Sequence, residues 1–144
     1  MITRLALAAV VAAFAATAVL AQADAIAARK GLMKSNNEQG RLAREIIDGK
    51  RPYSNEAAQK VFATFEEAAT KLPGLFPDNS KTGETRALPV IWEKKAEFNA
   101  AAAKFAADAK AAAAKSKDLD SFKASVSEVA RNCGGCHDAW RAKS

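Results

Sequence analysis

Apolar residues recur at steps of three and four along most of the chain, the period of a helix packed on one side. Over residues 119–140, Leu119, Phe122, Val126, Val129, Cys133, Cys136 and Trp140 form one stripe, and Asp118 or Asp120 supplies a cap at its start. Over 54–72 the stripe is Val61, Phe65, Ala68 and Leu72, opened by Ser54 with Glu56 close behind. Over 90–115 it is Ile91, Phe98, Ala102, Phe105, Ala109 and Ala112. The alanines there favour helix and leave a slim face for close approach. Phe98 and Phe105, two turns apart, mark a packed helix rather than a low-complexity run. Breaks fall at 49–53, at 72–89, where three prolines and two glycines make a long loop, and at 115–120. No segment reads as a strand.

The helix before these is different in kind. Arg29, Met33, Asn36, Gly40, Ala43 and Ile47 share one face by alternating steps of four and three. A seam facing another helix would carry Leu, Ile or Val at most of these places. An arginine, a methionine, an amide and a glycine suit a flat partner better. Ile26, Leu32, Ile46 and Ile47 supply the remaining apolar contact. Four antiparallel helices joined mostly by short loops predict an all-α, up-down four-helix bundle.

Residues 1–23 read as a cleaved signal peptide. Arg4 gives the positive start, residues 5–20 are apolar and Ala-rich, and Ala21-Gln22-Ala23 is an A-x-A cleavage site. The run is short and alanine-rich for a membrane anchor, and small residues close it. Residues 24–144 then form a single domain, expected to be soluble in the periplasm, with no membrane insertion of the mature chain.

The chemistry concentrates near the C-terminus, in Cys133-Gly134-Gly135-Cys136-His137. Two cysteines three apart followed by histidine is the attachment pattern of c-type haem. The thiols form thioethers with the haem vinyl groups, and the next residue ligates iron through an imidazole nitrogen. No other Cys or His occurs in the chain. Zinc would need about four such ligands, a thioredoxin-like pair wants a βαβ setting, and a disulfide this short closes almost no loop. One haem c per chain is expected, held by Cys133 and Cys136, with His137 as proximal iron ligand. Cys133 and His137 are one turn apart on one face, so the motif sits in the last turns of a helix.

The formal charge is +6, and loss of Arg4 with the leader leaves +5. Two ionised haem propionates would bring it to about +3. That mild excess can steer an acidic redox partner, while for most of it a solvated surface with scattered lysines is the expectation. No Lys/Arg cluster is interleaved with aromatics, so no nucleic-acid partner is expected.

The ending Cys133-Gly134-Gly135-Cys136-His137-Asp138-Ala139-Trp140-Arg141 resembles that of the cytochrome c' family, the class II c-type cytochromes. The resemblance covers essentially all of 24–144. It includes the helix start from Arg29 to Met33, Lys50-Arg51-Pro52-Tyr53, Leu72-Pro73-Gly74-Leu75-Phe76-Pro77 and Pro89-Val90-Ile91-Trp92. It implies a four-helix bundle with covalently bound haem. Most members are five-coordinate and high-spin. A smaller branch is low-spin, with a methionine four residues after the first-helix arginine as sixth ligand. Met33 holds that position, so the resemblance implies the low-spin branch, with Met33 as distal iron ligand. It further implies a propionate contact for Arg29 and a place near the haem histidine for Arg141.

Read on residues alone, a single methionine at helical spacing fills a core as readily as it binds iron. Its polar surroundings, and its being the sole Met beyond Met1, favour ligation. Met/His ligation suits reversible one-electron exchange. The expected function is therefore a periplasmic electron carrier serving unidentified redox partner proteins, and not an enzyme. The alternative is a five-coordinate haem protein that binds or traps a small gas such as nitric oxide. A peroxidase would want a distal acid–base group; there is no second histidine, and Asn36 is a poor base. The protein is expected to be a monomer or a homodimer.

Overall fold

The computed structural model describes residues 2–143, with side chains from residue 22 onward. It contains α1 (Ile2–Ile47), α2 (Asn55–Lys71), α3 (Val90–Glu93), α4 (Lys95–Lys115) and α5 (Leu119–Trp140). The four long helices are those predicted, and the short α3 is a fifth. The leader expected at 1–23 falls within α1 apart from Met1, which lies outside the described residues; so do the side chains of Arg4 and Ala21. Among the described residues no helix is long and apolar enough to cross a membrane.

Local chemistry sets the boundaries. Gly49 ends α1 at φ +74°, the left-handed conformation that glycine adopts without a Cβ penalty. Ser54 Oγ accepts from the Ala57 N–H at 3.1 Å and caps α2. Asp118 Oδ1 accepts from the Ser121 N–H at 2.8 Å, and Ser121 Oγ accepts from the Asp118 N–H at 3.0 Å, a capping box at the head of α5. Each such cap contributes about 1 kcal/mol. The long 72–89 loop holds two 3-10 turns, Leu72–Leu75 and Asp78–Ser80.

The third helix departs from expectation. The run opened by Pro89 breaks at Lys94, which has φ −116° and ψ 45°. The Lys94 N–H still closes α3 onto Val90 O, and Lys94 O accepts from the Phe98 N–H to begin α4. The bend lets Ile91 and Phe98 meet in one cluster with Phe76.

Two apolar clusters fill the bundle. One joins Ala43 and Ile46 of α1, Val61, Phe62 and Phe65 of α2, Ala109 and Ala112 of α4, and Phe122 and Val129 of α5. Phe62 is fully buried, and its ring meets those of Phe65 and Phe122 at 6.4 and 5.6 Å. Burial of a side chain of that size contributes about 1.5–3 kcal/mol. The other cluster, Phe76, Ile91 and Phe98, lies toward the C-terminal end of α5 and has Trp92, Cys136 and Trp140 packed against it. α1 packs mainly on α2 and on the 72–80 turns, and touches α5 little. The seam that lacked Leu, Ile and Val at most positions faces the gap left between α1 and α5.

Candidate cofactor cavity between α1 and α5

The gap is a cavity of about 1560 Å³. Arg29, Met33, Asn36, Gly40, Ala43 and Ile47 line it from α1, so the whole anticipated seam faces it. Cys133, Cys136 and His137 line it from α5, and Phe65, Phe76, Phe98, Phe105 and Trp140 supply apolar walls. Every anticipated site residue, Arg141 included, borders this one cavity.

The attachment motif is firmly held. Asn132 donates through Nδ2 to Asp108 Oδ2 at 2.8 Å, tying α5 to α4 directly before Cys133. Hydrogen bonds from Lys104 and then Asn132 hold the Asp108 carboxyl below its usual range. Beyond α5 the chain pairs with the end of the long loop. The Leu88 N–H donates to Trp140 O at 3.0 Å, the Ala142 N–H donates to Arg86 O at 2.8 Å, and Ala87 and Arg141 form an antiparallel bridge. The backbone of Arg141 is therefore fixed, not frayed, although its side chain is exposed.

Cys133 is exposed and Cys136 half-buried. For the half-buried Cys136, burial and then the neighbouring Cys133 push the thiol above its ordinary pKa, the opposite of what a reactive thiolate requires. For His137, burial and then the positive charges of Arg141 and Arg86 lower the proton affinity, with Asp138 opposing. A neutral imidazole has a lone pair to give to a metal.

Arg29 is only 6% exposed. Its Nη2 donates to Ser80 O at 3.1 Å and its Nη1 to Ser80 Oγ at 3.4 Å. Its guanidinium carbon lies 4.5 Å from the Phe76 ring centre and 5.8 Å from that of Trp92. Burial lowers its pKa, yet an arginine stays charged. Among the described residues no carboxylate pairs with it. Asn36 adds a second unmet demand, since its Oδ1 is buried with no hydrogen-bond partner. A large apolar cavity with two thiols, an imidazole, a thioether and an uncompensated buried cation fits a haem, whose propionates would supply the missing negative charge.

The family model Cytochrome C' matches residues 24–141. The chain belongs to the cytochrome c' family. It is a c-type cytochrome with one covalent haem c per chain, built as the family's four-helix bundle. The cytochrome c' of Rhodopseudomonas palustris is 43% identical over 125 residues, covering 86% of each protein. The cytochrome c-556 of the same organism is 35% identical over 133 residues, covering 89% of each. Among solved structures, cytochrome c' from Rhodopseudomonas palustris superposes with a TM-score of 0.80 at 43% identity, over 84% of this chain and 98% of that one. An NMR-validated model of oxidised cytochrome c556 from R. palustris gives 0.76 at 32% identity, over 84% and 98%.

Several contributors were missed in the sequence. Ser80, Phe76 and Trp92 hold Arg29, but they come from the irregular loop and the short α3, where no periodicity points at a partner. Arg86 carries no spacing signal of its own. Asn132 could have been suspected from its place beside Cys133.

Proposed function

We propose that the chain is a periplasmic single-electron carrier. In this reading Cys133 and Cys136 would carry the thioether links, and His137 and Met33 would be the two protein ligands of the iron. Bound haem supplies reversible exchange between Fe(II) and Fe(III). The supporting observation is that Met33 and His137, from α1 and α5, line the same cavity. Both ligands sit on helices tied into the core, so the geometry around iron changes little when its charge does. The periplasmic placement follows from the leader pattern at 1–23 and from covalent haem attachment.

Spectroelectrochemical titration of the holo-protein tests this. A reversible one-electron wave with slow carbon monoxide uptake is expected. Fast carbon monoxide uptake by the wild type would favour the second reading, a gas-binding protein. That reading has a claim because relatives of this chain carry both names, cytochrome c' at 43% identity and cytochrome c-556 at 35%.

Arg29 is assigned to a haem propionate. A buried positive charge near iron stabilises Fe(II), the less positive state, over Fe(III). Arg29→Ala is therefore expected to keep the haem attached and lower the midpoint potential. Arg29→Lys should restore part of the shift, since it keeps the charge but not the planar fork. Potentials unchanged by either variant across a range of salt would leave Arg29 a packing residue only.

A further inference from the structure

α1 carries a second stripe, one residue round from the cavity seam. The residues that follow the seam positions are Lys30, Lys34, Asn37, Arg41, Arg44 and Asp48, and all border the same cavity. Most are basic, and Lys30, Lys34, Arg41 and Arg44 are exposed. Arg41 is paired with Glu45 at 3.0 Å and Asp48 with Lys50 at 3.2 Å. Lys30, Lys34 and Arg44 have no acidic partner among the described residues. Arg86 and Arg141, also exposed, border the same opening; among the described residues that line it, only Glu38 and Glu84 are acidic without a basic partner, and Asp138 beside His137 adds one carboxylate nearby. Two propionates would offset part of this, one of them against the buried Arg29.

We infer that this basic stripe is the docking face for an acidic redox protein, which meets the cavity mouth along α1. The inference rests on the electron-carrier reading. The net charge of the chain is modest, but the surplus gathers where electrons would enter and leave. Steering by such a patch raises encounter rates and weakens as salt rises. A second copy seated on the same face by a two-fold axis would set basic stripe against basic stripe, which makes a partner of opposite charge the fitting occupant.

Reduced holo-protein mixed by stopped flow with hexacyanoferrate(III), an anion, and tris(phenanthroline)cobalt(III), a cation, tests this. One electron passes from the protein to the complex, and no bond forms or breaks. The anion's rate should fall with added salt and the cation's should rise. The variant K30E/K34E/R44E should lower the anion's rate at low salt by about tenfold or more and reverse its salt trend. The control K60E/K110E, on the outer faces of α2 and α4, should change it by less than about twofold. Reduced flavodoxin, an acidic protein, should show the same ordering as donor to the ferric protein. A triple reversal no stronger than the control would overturn the docking face. So would binding to phosphatidylglycerol vesicles that the triple reversal abolishes, which would reassign the stripe to a membrane surface. If the wild type reacts slowly with both complexes, the carrier reading itself fails, an outcome distinct from fast but charge-insensitive exchange.

Discussion

Substituting Met33 by alanine is expected to turn a low-spin ferric protein into a high-spin or water-ligated one with its haem still attached. Cys133, Cys136 and His137 are untouched by the change, while the sixth position loses its thioether. Thioether ligation favours Fe(II), so the midpoint potential should fall. Carbon monoxide should bind the ferrous variant much faster than the wild type. Met33 is half-buried against the cavity, so truncation should also cost about 2 kcal/mol of stability, before any bond to iron is counted. Absorption and EPR spectra, spectroelectrochemistry and stopped-flow carbon monoxide binding read these effects separately. A variant whose spectra match the wild type would make Met33 a packing residue and put the gas-binding reading first.

Changing both Cys133 and Cys136 to alanine should abolish covalent haem. The denatured protein would lose haem stain on a gel, whereas the wild type from a haem-maturing host keeps it. The structural effect should be large as well. α1 touches α5 little, and a cavity of about 1560 Å³ lies between them. Haem in that gap would add apolar area the side chains do not provide, and a group bound only by the folded state stabilises it. The double variant should therefore unfold at clearly lower temperature by circular dichroism and be cut by protease within α1 first. Haem stain persisting in the denatured double variant would show attachment elsewhere.

The four long helices and the cavity-lining seam were readable because each follows from spacing within one segment. The seam from Arg29 to Ile47 faces the cavity throughout, and Ser54 and Asp118 cap where capping chemistry put them. Phe62 escaped the same reasoning. The stripe of Val61, Phe65, Ala68 and Leu72 describes one face of α2, but α2 packs against both α1 and α4, and the Phe62 ring also reaches Phe122 of α5. A helix covered on more than one side buries residues that a single stripe leaves out. The break at Lys94 was hidden for a different reason. Neither Gly nor Pro marks it, and tertiary packing of Ile91 and Phe98 around Phe76 sets the bend. The surroundings of Arg29 were hidden too, because Phe76 and Ser80 reach it only once the 72–89 loop folds back on α1.

Electron carriage of the kind proposed requires that His137 and Met33 bind the iron together. The most direct measurement is the optical and EPR spectrum of the ferric wild-type holo-protein, with its haem attached in a host that matures c-type cytochromes. A single low-spin species, with the weak red band of a thioether–iron bond that disappears in Met33→Ala, is the result expected. A high-spin ferric spectrum in the wild type would contradict it.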